Sequence, residues 1–188
     1  MATSGDRLWR YSGVARVWAW SLIGVALALM ALAAAIQAGG EDGLGGSWLA
    51  AALGVAAGTG LVGIPVLRFW LGRGSLPSVR LPDAVRVSGR SRPREASPRD
   101  WRRWTITSAV LLFIGTAAML LFLIAILGGG GVAEGVTAGV LAAWGAVTLE
   151  DVRRIRRAED AEGRRYYAAC RRPTGAGNHL VWLRTSDT

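Results

Sequence analysis

Residues Trp104–Leu127, WTITSAVLLFIGTAAMLLFLIAIL, carry no ionisable side chain. As a helix, these 24 residues reach about 36 Å at the usual rise per residue. That exceeds the ~30 Å hydrocarbon core of a bilayer. A soluble helix of this length would alternate apolar and polar faces, and this one does not. The stretch therefore reads as a membrane span.

Three more stretches repeat the pattern: Val17–Ala38, Trp48–Leu71 and Val132–Leu149. Across all four, the ionised side chains are Arg68 and Glu134. Arg68 lies about one turn from the end of its span, where its guanidinium can snorkel to the headgroups. Glu134 sits just past a glycine turn and is expected to stay hydrated. The fourth span is the shortest and must lie more upright or begin nearer Gly129.

Charge outside the spans is sorted by side. Arginine fills the N-terminus, the middle segment and the tail, while the short turns Gly39–Ser47 and Gly128–Gly131 have none. Cytoplasmic segments carry the positive excess. The expected fold is thus an all-α integral membrane protein: a four-helix bundle made of two helical hairpins, N-in and C-in. The expected parts are a basic cytoplasmic N-terminus (1–16), hairpin 1 (17–71), a basic cytoplasmic connector (72–100), hairpin 2 (101–149) and a cytoplasmic tail (150–188), helical to about 167. The first span could pass for a signal peptide, with Arg7, Arg10 and Arg16 before it and Ala33–Ala35 within it. Its apolar run is longer than the usual 7–15 residues, and three spans follow, so it reads as uncleaved.

Net charge is +9, and every cation is arginine. Selection for phosphate or carboxylate forks would enrich arginine. So would a GC-rich genome, which enriches alanine and glycine as well, and this chain is rich in all three. That second reading leaves the absence of lysine without functional weight; the expected location is a bacterial inner (plasma) membrane.

Local signals divide the polar segments further. Thr3 and Asp6 suit the cap of a short interfacial helix carrying Leu8, Trp9 and Tyr11. Val79–Leu81 and Val85–Val87 alternate around Pro82-Asp83, which reads as a small hairpin. Arg90–Ala96 reads as flexible linker. Ser97-Pro98-Arg99-Asp100 is a capping box for the third span. The fourth span runs into Glu150–Arg165 as one helix, and Leu180–Leu183 reads as a short strand. The two hairpins resemble a duplication, although two registers, shifted by about 92 and about 81 residues, compete.

The residues singled out are few. Small residues at four-residue spacing suit close helix packing: Gly54 and Gly58 on the second span, and Gly131, Gly135, Gly139 and Ala143 on the fourth. Arg68, Arg102, Arg103, Arg153, Arg154, Arg156 and Arg157 form the basic inner surface, suited to anionic lipid headgroups and a protein partner. Nucleic acid would also want such a patch, but topology alone requires it, so no nucleic-acid partner is expected. Cys170 and His179 each stand alone, and no catalytic constellation, cofactor motif or metal cluster is legible. The hydroxyls at depth, such as Thr116 and Thr137, are expected to bond the preceding helical turn. The expected role is non-catalytic: an accessory, scaffold or assembly protein. A small oligomeric transporter or channel subunit is the alternative, with the glycine faces meeting a second copy.

Overall fold

A computed structural model describes residues 7–38, 46–71, 77–86, 94–127, 131–170 and 179–184. In chain order these are strand β1 (Arg7–Arg10), helices α1 (Tyr11–Ala38) and α2 (Gly46–Leu71), a 3-10 turn (Pro77–Asp83), strands β2 (Val85–Arg86) and β3 (Arg94–Glu95), helices α3 (Pro98–Leu127) and α4 (Val132–Glu162), and strands β4 (Arg164–Cys170) and β5 (His179–Arg184). The chain is mostly helical, and all four helices are long and apolar enough to cross a membrane. It divides into two compact units: one holds Met1–Trp18, Trp70–Ile106 and Thr148–Thr188, the other Ala19–Phe69 and Thr107–Val147.

The second unit is purely helical. α4 is enclosed here, with Ala133, Glu134, Thr137, Ala138, Leu141 and Ala143 all buried. α2 and α3 instead present Leu53, Leu61, Val62, Ile114, Leu121 and Phe122 outward, each more than half exposed. Apolar surface of that extent is not left in water by a soluble protein; in lipid it costs nothing. Thr116 and Thr137 donate their hydroxyls to the carbonyls of Leu112 and Ala133, one turn back, at 2.7 and 2.8 Å. That is how a membrane helix satisfies a lone hydroxyl.

The first unit is built around a five-stranded sheet of order β2-β5-β4-β1-β3. The all-α expectation is therefore incomplete. β4 is the spine, antiparallel to β1 from Arg7↔Cys170 to Arg10↔Tyr167 and to β5 from Arg164↔Arg184 to Ala169↔His179. The two-residue edge strands run parallel to their neighbours, β2 along β5 and β3 along β1. One sheet face packs Trp9, Tyr166, Ala168, Cys170 and Leu180 against Tyr11 and Ala15 of α1 and Val152 and Ile155 of α4. The other gathers Leu8, Tyr167, Ala169 and Val181.

This sheet corrects four local expectations. Leu8 and Trp9 lie in a strand, not an interfacial helix, because a strand buries both at once on opposite faces; Thr3 and Asp6 fall outside the described residues. Val79–Leu81 belongs to a 3-10 turn instead of a hairpin, and Val85–Arg86 pairs with distant β5. Pro82 lacks the N–H a ladder needs. Arg94–Glu95 is a strand on β1 and not linker. The tail is not helical to about 167: α4 ends at Glu162. Gly163 follows with φ +58°, the left-handed residue that commonly closes a helix. β5 does include Leu180–Leu183 as expected.

Candidate interaction surface

Beyond Leu149, α4 changes character. Asp151, Val152, Ile155 and Glu159 are buried at helical spacing, which leaves Arg153, Arg154, Arg156 and Arg157 on the exposed side. The buried acids are anchored. Asp151 Oδ2 accepts the Ser78 backbone N–H at 2.9 Å, and Oδ1 accepts the Ser78 hydroxyl. Glu159 accepts the Tyr166 N–H at 3.1 Å and pairs with Arg10 at 3.6 Å. The turn before β2, strand β1 and strand β4 are thereby tied to one helix.

The entry to α3 is built the same way. Asp100 Oδ2 accepts the backbone N–H and the hydroxyl of Ser97, at 2.9 and 2.7 Å, and the Ser97 Oγ accepts the Asp100 N–H at 3.3 Å. This is the reciprocal capping box, and Arg7 of β1 adds an ion pair to Asp100. The cap sets the helix phase. Trp101 and Trp104 turn inward onto Trp9, with ring centroids 5.1 and 5.8 Å away and steep interplanar angles. Edge-to-face geometry of this kind adds to simple burial, and the Trp9 indole N–H donates to the Cys170 carbonyl at 3.2 Å. Arg99, Arg102 and Arg103 remain exposed.

Seven exposed arginines thus stand on two helices of this unit. Arg154 pairs with Glu150 at 3.0 Å in the favourable i,i+4 order. Arg102, Arg103, Arg153, Arg156 and Arg157 meet no carboxylate among the described residues. Arg68 of α2 is exposed and has an interaction of its own.

Both tyrosines of β4 are held neutral. Burial pushes the Tyr166 hydroxyl up to about 12, helped by its 2.7 Å hydrogen bond to the Glu162 carboxylate and by that carboxylate's charge. Burial, then Glu95, raises Tyr167.

The small residues separate by helix. A Cβ added to Gly135 would stand 2.6 Å from the Ala52 carbonyl oxygen, and one on Gly139 2.6 Å from that of Ala56. α2 and α4 therefore meet backbone to backbone, with Gly131 beside Trp48 and Ala143 beside Gly63. Gly54 and Gly58 are on the opposite side of α2, exposed, with open space around them. The α2 contact face is Ala52, Ala56, Gly60 and Gly63, offset by two residues from the expected register.

Glu134 is a second correction: it is 7% exposed rather than hydrated, and its Oε2 has no hydrogen-bond partner among the described residues. The indole N–H of Trp48 is also buried without one among those residues. Burial of Ala133, Glu134 and Gly135 in the first turn of α4 was invisible to a reading that counted residues from the end of the span. Asp151 and Glu159 were equally missed as buried groups, although their spacing with Ile155 marks one helix face. Cys170 is buried in β4, and His179 opens β5 opposite Ala169. Among the described residues no three His, Cys, Asp or Glu side chains converge as metal ligands. Compared with protein-family models, curated proteins and solved structures, the chain matches none of them.

Proposed function

We propose that this protein is a multi-pass accessory or scaffold protein of a bacterial inner membrane, with no catalytic role. Its N-terminus, connector and tail lie in the cytoplasm. One observation carries this reading: a single sheet takes β1 from the N-terminal segment, β2 and β3 from the connector and β4 and β5 from the tail. Hydrogen-bonded strands occupy one compartment, so all three segments share a side. The arginine excess selects the cytoplasmic one. The exposed arginines of α3 and α4 then contact anionic headgroups, each worth about 1 kcal/mol near the surface, and the sheet unit is the rigid body a protein partner reads. Topology and lipid contact account for the basic surface without nucleic acid.

Mild-detergent purification tests the role. A scaffold co-purifies with a fixed partner, and the Arg102→Gln/Arg103→Gln/Arg153→Gln/Arg156→Gln variant loses that partner or binding to anionic vesicles. A protein that runs alone and conducts solute in liposomes overturns the reading.

A small oligomeric transporter or channel subunit is the alternative, and Glu134 favours it. A buried membrane acid with an oxygen that meets no partner among the described residues is the kind of group that serves ion or proton pathways. The exposed Gly54 and Gly58 would then meet a second copy. A Glu134→Gln variant that abolishes solute flux in liposomes would establish that alternative.

A further inference from the structure

Two buried polar atoms of the helical unit meet no hydrogen-bond partner among the described residues: the indole N–H of Trp48 and Oε2 of Glu134. Both residues are 7% exposed. They belong to one level of the α2–α4 seam. A Cβ on Gly131 would stand 2.7 Å from the Trp48 carbonyl oxygen, and one on Gly135 2.6 Å from that of Ala52. Glu134 therefore leaves α4 within about one turn of Trp48. Thr137, buried as well, follows Glu134 at i+3 and neighbours it on the helix surface. Its hydroxyl donates to the Ala133 carbonyl, and the oxygen keeps lone pairs with which to coordinate.

A carboxylate in apolar surroundings demands a positive partner. The helical unit has little to offer it. Residues 19–69 and 107–147 contain the acids Glu41, Asp42 and Glu134 and a single basic side chain, Arg68. Arg68 stands 20 residues beyond Trp48 on α2, about 30 Å at the helical rise, which its side chain does not bridge. One carboxylate balances one positive charge. Divalent calcium or magnesium gathers about six or more oxygen ligands, and among the described residues no three His, Cys, Asp or Glu side chains converge. The backbone contacts at Gly131 and Gly135 suit a bare ion better than a bulky organic cation.

We propose that Glu134, Thr137 and Trp48 form a binding site for a monovalent inorganic cation. Glu134 Oε2 supplies the charge and Thr137 Oγ1 a second oxygen. A water molecule carried by the ion accepts the Trp48 indole N–H, so both orphaned atoms are satisfied at once. Glu134 is also the acid that the transporter alternative invokes, but binding of this kind requires no transport.

The test is thermal unfolding of the full chain in nonionic detergent at fixed ionic strength, with N-methylglucamine chloride replaced stepwise by sodium or potassium chloride. A saturable rise in Tm with an alkali cation is expected. Glu134→Gln removes that rise and, relieved of an unbalanced charge, is more stable than wild type in N-methylglucamine. Trp48→Phe keeps an aromatic ring, loses the N–H and weakens the apparent affinity several-fold. Asp160→Asn, at an exposed acid of the sheet unit, leaves the affinity unchanged. Where Glu134→Gln does not fold, Glu134→Asp keeps the charge, shortens the reach and binds several-fold more weakly. A Tm indifferent to both alkali cations shows that the carboxyl keeps its own proton or takes the indole N–H directly, and overturns the proposal. An undiminished rise in a folded Glu134 variant overturns it too. The readout involves neither flux nor a partner protein, so failure here is distinct from failure of the scaffold or transporter role.

Discussion

Ser78 and Asp151 close a contact between the 3-10 turn and α4: the Ser78 backbone N–H lies 2.9 Å from Asp151 Oδ2, and its hydroxyl donates to Oδ1. The carboxylate is 1% exposed, so a truncated side chain would strand both donors. Asp151→Ala should destabilise the sheet unit by about 1–3 kcal/mol, the usual penalty for leaving buried donors unpaired. Asp151→Asn, which keeps an acceptor for the N–H, should cost less. Thermal unfolding in detergent, followed by near-UV circular dichroism of the tryptophans, measures both. Wild-type stability in the Asp151→Ala variant would show that the contact contributes nothing.

The α2–α4 seam makes an asymmetric prediction. Gly135→Ala and Gly139→Ala each push a methyl group against a backbone carbonyl and should destabilise by about 1–3 kcal/mol through overpacking. Gly54→Ala and Gly58→Ala meet open space and should be neutral or slightly stabilising. Denaturant titration in mixed micelles ranks the four. The reverse ranking would shift the α2 register back by two residues.

Tyr166 sets an alkaline limit. Its hydroxyl ionises near 10 in the unfolded chain and is pushed up to about 12 in the fold. The fold therefore keeps the proton while the unfolded state loses it. The resulting stability is fully present below about pH 10 and is lost as pH rises toward 12. Tyr166→Phe should cost about 1 kcal/mol at neutral pH for the lost hydrogen bond and should flatten the decline above pH 10. Unfolding curves across that range decide; an equally steep decline in the Phe variant would assign it elsewhere.

The proposed orientation is testable with thiols, though not with Cys170, which β4 buries. In a Cys170→Ser background, an impermeant maleimide should label Arg153→Cys in broken cells alone and Asp42→Cys in intact cells. Labelling of Arg153→Cys from outside reverses the orientation.

The four helices were legible because lipid imposes a one-dimensional rule: about 20 apolar residues in a row. The α3 cap was legible for a similar reason, since its reciprocal hydrogen bonds run between Ser97 and Asp100; the ion pair that Arg7 adds to it from β1 was not. The sheet was not. Leu8, Val85 and Arg94 find their partners in strands far along the chain, and no periodicity in two or four residues announces a distant mate. Gly163 was the local signal overlooked, one residue that converts an apparent long helix into a helix and a strand. Packing register was half legible: the α4 glycines lie on one face, but which α2 residues meet them depends on helix rotation, which composition does not encode.

β1 is hydrogen-bonded on one side to β4 and on the other to β3. It leaves the ribosome before every other strand, yet its longest partner is translated only after all four spans. At an elongation rate of about 5–20 residues per second the wait is on the order of ten seconds or more. During that interval Leu8 and Trp9 have no antiparallel mate to cover them. Completion of the sheet unit therefore waits for the end of translation, and damage to β4 or β5 would leave four intact apolar helices carrying an unpaired β1.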